Sequence, residues 1–277
     1  MAVFAQLTDL HLRPPGVLTL GRIDADRHAA AAIDRLLLRH GDIDAVIVTG
    51  DIADIGEEDA YTRAEMLLSR FSVPVLVMPG NHDRTAALRA AFIAWPGVVD
   101  EPVAGKLCHA REIGGVMAIS LDTSVDGLDT RSHHGTLGPA QLAWLDETLA
   151  GCGPALIAMH HPPFRTGTGM DGIGLSDADA FAAVLARHRN VARIICGHVH
   201  RVIIGDVAGV TSMAVPGVAH QVALSLGEDR AQLVMEPPAY AIHIVEEGNG
   251  VSHVGYVDDY GAPVSFAEMA ANAAPPQ

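Results

Sequence analysis

Five apolar runs, at residues 3–7, 45–48, 75–78, 155–159 and 191–196, are each followed by a short block of carboxylate, imidazole and amide side chains. The blocks are Asp9-Leu10-His11, Gly50-Asp51, Gly80-Asn81-His82-Asp83, His160-His161 and Gly197-His198-Val199-His200. Short apolar runs bounded by turn signals read as buried strands. If all five belong to one sheet, every block falls at a C-terminal strand end, the edge where open α/β sheets hold their ligands. Fold and chemistry are thereby constrained together.

The segments between the runs read as helices. Residues 24–40 form an amphipathic pattern with Ile33, Leu36 and Leu37 on one face, and residues 57–70 carry acids in the first turn with Met66, Leu67 and Leu68 for burial. A third helix over 86–94 ends at Trp95-Pro96-Gly97. Strand–helix–strand units of this kind imply parallel pairing and right-handed crossovers. Residues 106–113 and 116–121 resemble a β pair around Gly114-Gly115. Helices follow over 139–149, with Pro139 near the start, and over 176–188, with Ser176 as N-cap. After His200 the pattern is mostly strands, at 202–207, 210–215, 239–245 and 251–257, which implies a second sheet packed face to face on the first. No internal repeat or linker interrupts the chain. The expectation is one domain over 1–265, with the strands in 239–257 as an extension and 266–277 as a flexible Ala/Pro-rich tail.

At 49% apolar and 18% charged, the 277 residues suffice for a real core and argue against disorder. Acids outnumber Lys and Arg by 33 to 18, a formal charge of −15, which disfavours a nucleic-acid polymer or an anionic lipid surface as partner. A small anionic substrate stays compatible, because bound cations reverse the local field. The three cysteines, Cys108, Cys152 and Cys196, are odd in number and widely spaced, so they suggest reduced thiols rather than a disulfide framework. The N-terminus lacks the basic region and apolar stretch of a signal peptide, and no run approaches the roughly 20 apolar residues of a membrane span. A cytoplasmic protein is expected.

Imidazole and carboxylate donors together suit Zn, Fe, Mn or Co better than Ca or Mg. Positions i and i+2 at a strand end point the same way, so Asp9 and His11 can share one ion, and His198 and His200 can reach a common centre. The donors oversupply one ion and match two, with Asp51 between them as a bridge. Taken singly, Asp51 and Asn81 are ordinary turn residues. It is the company of the other blocks that makes them ligands.

These five ordered blocks, with His160-His161-Pro162-Pro163 extending the fourth, resemble the signature of the calcineurin-like metallophosphoesterases over roughly residues 3–220. Thr8 before the first block, Gly135-Thr136-Leu137 and Pro216-Gly217-Val218-Ala219-His220-Gln221 are closer to the bacterial class III cyclic-nucleotide and glycerophosphodiester phosphodiesterases than to the protein phosphatases. The resemblance implies a four-layer α/β/β/α sandwich of two mixed sheets flanked by helices. It implies a first ion on Asp9, His11, Asp51 and His200, and a second on Asp51, Asn81, His160 and His198. His82, beside the ligand Asn81, would be the catalytic residue facing the phosphate, oriented by Asp83 or a backbone carbonyl. Attack would come in line from a metal-bound hydroxide, with no covalent phospho-enzyme.

His161 adjoins a ligand but should point away from the ions, in a supporting role. His220 is a candidate for substrate contact or support of the ligands. The loop holding His133 and His134 with Asp126, Asp129 and Arg131 reads as solvated, or else as a lid. Arg13, Arg22 and Arg27 are surface charges by default, though one could meet a phosphate. Loops 12–21 and 163–174 would shape the space for the organic group of a small phosphodiester such as cyclic AMP or a glycerophosphodiester. A phosphomonoesterase, a nuclease or a metal-free protein-binding scaffold are the alternatives. The metal stays open among Fe, Mn, Zn and Co, and a homo-oligomer is compatible with the C-terminal strands.

Overall fold

The computed structural model describes residues 1–95, 98, 100–125, 133–227, 231–267 and 269. The first alternation forms β1 (Ala2–Leu7), α1 (Ala25–Arg39), β2 (Ala45–Thr49), α2 (Glu58–Leu68), β3 (Val75–Met78) and α3 (Thr85–Ala91). Helix α1 starts where the Asp24 carboxylate accepts from the Arg27 amide, satisfying one of the open first-turn donors. Its buried stripe is Ala25, Ala29, Ala32, Ile33 and Leu36, the spacing of one helical face. Leu37 lies off that stripe and is 40% exposed, against expectation, and Met66 on α2 is 56% exposed for the same reason.

The chain continues through β4 (His109–Ile113), β5 (Val116–Ser120), α4 (Gly138–Ala150), β6 (Ala155–Ala158), α5 (Ala178–Leu185) and β7 (Val191–Cys196). Then come β8 (Ile203–Val207), β9 (Val210–Ala214), β10 (Gln221–Val222), β11 (Leu233–Val234), β12 (Ala239–Glu246) and β13 (Asn249–Tyr256). The helix expected from Ser176 begins later and has Asp177 at its N-cap position. Ser176 donates its hydroxyl to the Gly135 carbonyl in the loop before α4, and the Asp177 carboxylate accepts from the Leu137 and Gly138 amides at the start of α4.

The five runs are not strands of one sheet. One sheet has the order β13-β12-β1-β2-β3 and the other β4-β5-β6-β7-β9-β8, so three runs lie in the first and two in the second. Both sheets are mixed. β1, β2 and β3 are parallel, β12 pairs antiparallel with β1 and β13 antiparallel with β12, and β5, β6, β7 and β9 are parallel while β4 and β8 pair antiparallel with β5 and β9. The second sheet therefore opens at β4, well before His200. The strands after His200 divide, β8 and β9 joining the second sheet and β12 and β13 the first.

Strand alternation sorts the side chains into three layers. Val46, Val48, Val75 and Val77 face α1–α3, with Ile33, Leu36, Tyr61 and Leu88. Ile119, Ile157 and Ile194 face α4 and α5, with Leu145, Leu149 and Phe181. Phe4, Ile47, Leu76, Met78, Leu156, Ala158 and Ile195 fill the space between the sheets. This is a four-layer α/β/β/α sandwich. Toward the C-terminal strand ends the inter-sheet layer turns polar. Gln6 Nε2 donates to Thr49 Oγ1 at 2.7 Å and to the Cys196 carbonyl at 3.1 Å, and His243 Nε2 lies 2.9 Å from Gln6 Oε1. These bonds tie β1, β2, β7 and β12 together beneath the five blocks.

Candidate metal centre

All five blocks meet at one end of the sandwich, but strand alternation is not what aims them. Asp9 (φ 52°), His11 (φ 44°), Asp51 (φ 48°), His198 (φ 68°) and His200 (φ 47°) are in the left-handed region. Each such non-glycine residue costs on the order of 1 kcal/mol or more, and persists where surrounding structure enforces it. The enforcement is visible. The Asp9 amide donates to the Gly50 carbonyl, His11 to Asp51 and Leu12 to Ile52, so the loops after β1 and β2 continue the ladder of their strands. Gly50, at φ 88°, supplies the turn before Asp51. Gly80 supplies room, since a Cβ there would stand 2.1 Å from Asp51 Oδ1.

The ligand atoms of Asp9, His11, Asp51 and His200 all lie within 4.8 Å of one another. His200 Nε2 is 3.1 Å from Asp9 Oδ1 and 3.3 Å from His11 Nε2. His160 is the hub of the second group, with Nε2 at 3.1 Å from Asn81 Oδ1, 3.3 Å from His198 Nδ1 and 3.4 Å from Asp51 Oδ2. Asp51 Oδ2 also stands 3.7 Å from His11 Nε2, so one carboxylate oxygen faces both groups. Its partner Oδ1 accepts from the His82 amide at 2.9 Å. The seven residues expected to hold ions are thus brought together at one end of the sandwich.

The donor set fits cations on its own geometry. Each ring is held by the nitrogen facing away from the centre: His11 Nδ1 by Asp54 Oδ1 at 3.2 Å, His160 Nδ1 by the Thr49 carbonyl at 2.8 Å, His200 Nδ1 by the His220 carbonyl at 2.8 Å and His198 Nε2 by the Ile173 carbonyl at 3.0 Å. With the proton on that nitrogen, the opposite one presents a lone pair to the centre. Lone pairs of His11 and His200, and of His160 and His198, then face each other at 3.3 Å among buried carboxylates. Only positive charge relieves that crowding. The same demand acts on the pKa of His160, where burial disfavours the imidazolium but Asp51 and Asp9 push it up to about 9. Asp51 is held well below the usual carboxylate range by its histidines despite burial.

The remaining candidates separate. His82 lies outside these two sets, although a ring nitrogen of it comes within 4.8 Å of ligand atoms of His11 and Asp54. Its Nδ1 donates to the Asp54 carbonyl at 2.6 Å, its Nε2 lies 4.0 Å from Asp51 Oδ2, and its side chain is partly exposed. Burial opposes its charged form, yet Asp51 and the Asp54 carbonyl raise its pKa. The backbone carbonyl, not Asp83, orients this ring. Asp83 turns inward and accepts from the Ile52, Ala53 and Gly80 amides and from the Tyr61 hydroxyl, pinning the two loops together. His161 has both nitrogens engaged, by Thr123 Oγ1 at 2.7 Å and the His133 carbonyl at 2.9 Å, although one of them also lies within 4.8 Å of ring nitrogens of His160 and His198. Burial and His160 press its pKa down to about 3. His220 packs against His11 and His200 with ring centroids 5.0 and 4.5 Å away, and its buried Nδ1 has no partner.

Sequence reasoning missed Asp54, whose carboxylate holds His11 and is reached by Arg13 at 3.5 Å. It reads the His133 loop as solvated or as a lid, and gives no sign that the ring stacks on His82 and bonds Asn81. Neither carries a local signal, since each partner is dozens of residues away in the chain. Asp126, Asp129 and Arg131 lie outside the described residues. Arg13 pairs with Glu57 at 2.6 Å, which occupies its fork. The loops 12–21 and 163–174 do flank the site, through Thr19 Oγ1 on the His11 carbonyl and the Ile173 carbonyl on His198. No helix among the described residues is long and apolar enough to cross a membrane.

A probable cyclic nucleotide phosphodiesterase of Rhodopseudomonas palustris is 37% identical to this chain over 255 residues, covering 90% of each. A glycerophosphodiester phosphodiesterase GpdQ of Enterobacter lignolyticus is 27% identical over 96% of this chain and 95% of its own length. The fold is shared with a dimetal phosphatase from Danio rerio, with a TM-score of 0.69, 17% identity and coverage of 93% of this chain and 97% of that one. The sequence profile of the calcineurin-like phosphoesterases matches residues 2–202, and the chain belongs to that metallophosphoesterase family.

Proposed function

We propose that this chain is a binuclear-metal phosphodiesterase acting on small diesters, 3′,5′-cyclic nucleotides such as cyclic AMP or glycerophosphodiesters. The observation that carries the reading is Asp51 Oδ2, which faces His11 on one side and His160 on the other at 3.7 and 3.4 Å. A carboxylate so placed serves two ions, and two ions are the arrangement that clamps a phosphoryl group. Asp9, His11, Asp51 and His200 would hold the first, and Asp51, Asn81, His160 and His198 the second. The nitrogen-and-oxygen donor set suits Fe, Mn, Zn or Co. Ions held there would lower the pKa of a bound water toward about 7 and would offset phosphate charge.

The chain's own residues do the rest. Asp54, Thr49, His220 and Ile173 lock the four ligand rings through side-chain or backbone oxygens. His82, anchored at Nδ1 and partly exposed, is placed to give a proton to the leaving alkoxide or to stabilise charge on the phosphoryl oxygens. The names of the relatives support a diester substrate. The formal charge of −15 supports a small molecule over a nucleic-acid polymer. Three free cysteines fit a reducing compartment such as the cytoplasm. Turnover of cyclic AMP, glycerophosphocholine, glycerophosphoethanolamine, p-nitrophenyl phosphate and single-stranded DNA by metal-loaded protein tests the reading. Diesters of small alcohols should be cleaved fastest, and faster turnover of the monoester would refute it.

A further inference from the structure

Asn81 is the weakest donor of its cluster. A neutral carboxamide has two ends of nearly equal shape, and only the oxygen binds a cation. The surroundings decide which end faces the centre. Asn81 Oδ1 lies 3.1 Å from His160 Nε2, while Nδ2 donates to His133 Nδ1 at 2.7 Å. An accepting Nδ1 places the His133 proton on Nε2.

His133 is itself held. The His161 ring donates from Nε2 to the His133 carbonyl at 2.9 Å, and the Thr123 hydroxyl lies 2.7 Å from His161 Nδ1. The His133 ring also stacks on His82, with centroids 5.4 Å apart and planes 21° apart. A relay thus runs from Thr123 through His161 and His133 to the amide end of Asn81.

We propose that His133 is the positioning residue of the second ion site, fixing the Asn81 carboxamide with its oxygen toward the ions, and that His161 acts by holding His133. The proposal rests on the two-ion reading above. It gives the His160-His161 pair a division of labour, in which His160 faces the ions and His161 braces the loop that orients another ligand.

The test uses metal-stripped full-length protein titrated calorimetrically with Zn²⁺, with ion content checked by elemental analysis. His133→Phe keeps a ring to stack on His82 but removes the acceptor. His133→Asn returns an acceptor, Oδ1, close to the place of Nδ1. The first equivalent should bind all variants alike. For the second, His133→Phe should bind about ten- to a hundredfold more weakly, as for other groups that orient metal ligands, and His133→Asn should recover most of the loss. Activity of His133→Phe should also return as Zn²⁺ is raised, which a general loss of folding would not allow. Wild-type affinity for the second equivalent in His133→Phe would overturn the proposal, as would His133→Asn falling equally far. If the unsubstituted protein takes up only one equivalent, the two-ion reading fails and the proposal with it.

Discussion

Replacing Gly80 by alanine tests whether Asp51 is the shared carboxylate. The added Cβ would stand 2.1 Å from Asp51 Oδ1 and 2.4 Å from the Asp51 amide nitrogen, where ordinary contact starts at 3.4 Å. Neither atom can yield cheaply. The amide nitrogen belongs to a residue at φ 48°, and Oδ1 accepts from the His82 amide. The carboxylate must therefore retreat by about 1 Å, a displacement that in an active site can cost on the order of 100-fold in rate. Because Oδ2 faces both His11 and His160, both ion sites should weaken together. The expected loss in kcat/KM on a small diester is about 100-fold, or about 2.7 kcal/mol of transition-state stabilisation. Ion content by elemental analysis should fall for both equivalents while circular dichroism stays unchanged. A Gly80→Ala protein that keeps two ions and most of its activity would refute the bridging role of Asp51.

Two further substitutions separate the parts of the molecule. Asp54→Ala removes the carboxylate on His11 Nδ1, so the first ion should bind about ten- to a hundredfold more weakly while the second is spared; calorimetry resolving the two equivalents would contradict this if the loss fell on the second. His109 on β4 is buried with neither ring nitrogen partnered, and burial holds its pKa down to about 4. The unfolded chain takes up its proton near 6.5, so this residue's contribution to stability is complete above pH 6.5 and declines toward pH 4, by on the order of 1.4 kcal/mol per pH unit. His109→Leu should flatten that part of the acid slope and raise the melting temperature at pH 5. An unchanged slope in thermal melts across pH 4–7 would refute the assignment.

The candidate ligands could be picked out because each sits in a block that is marked locally. Asp9, His11, Asp51, Asn81, His160, His198 and His200 each follow a strand whose apolar run marks it. The inward turn of Asp83 was not legible, because the same Gly80-Asn81-His82-Asp83 block permits it to brace His82 or to pin the loop, and only the positions of the Ile52 and Ala53 amides decide. The assignment of the runs to one sheet failed for a related reason. An apolar run buried on both faces looks the same whether its neighbour lies in its own sheet or across the inter-sheet core, so β6 and β7 carried no mark of belonging elsewhere.

By itself, then, the amino-acid order determined which side chains are the candidates for the chemistry, that they end strands, and that helices cover those strands, because periodicity and turn residues act over a few positions. The tertiary structure decided how the ends meet. Two sheets facing each other bring their C-terminal edges together, and ladders continued into the loops hold five ligands in left-handed backbone. Those same contacts decide which nitrogen of each ring looks inward. They join residues such as Asn81 and His133 or His11 and Asp54, tens of positions apart, and separation of that kind leaves no trace in local sequence.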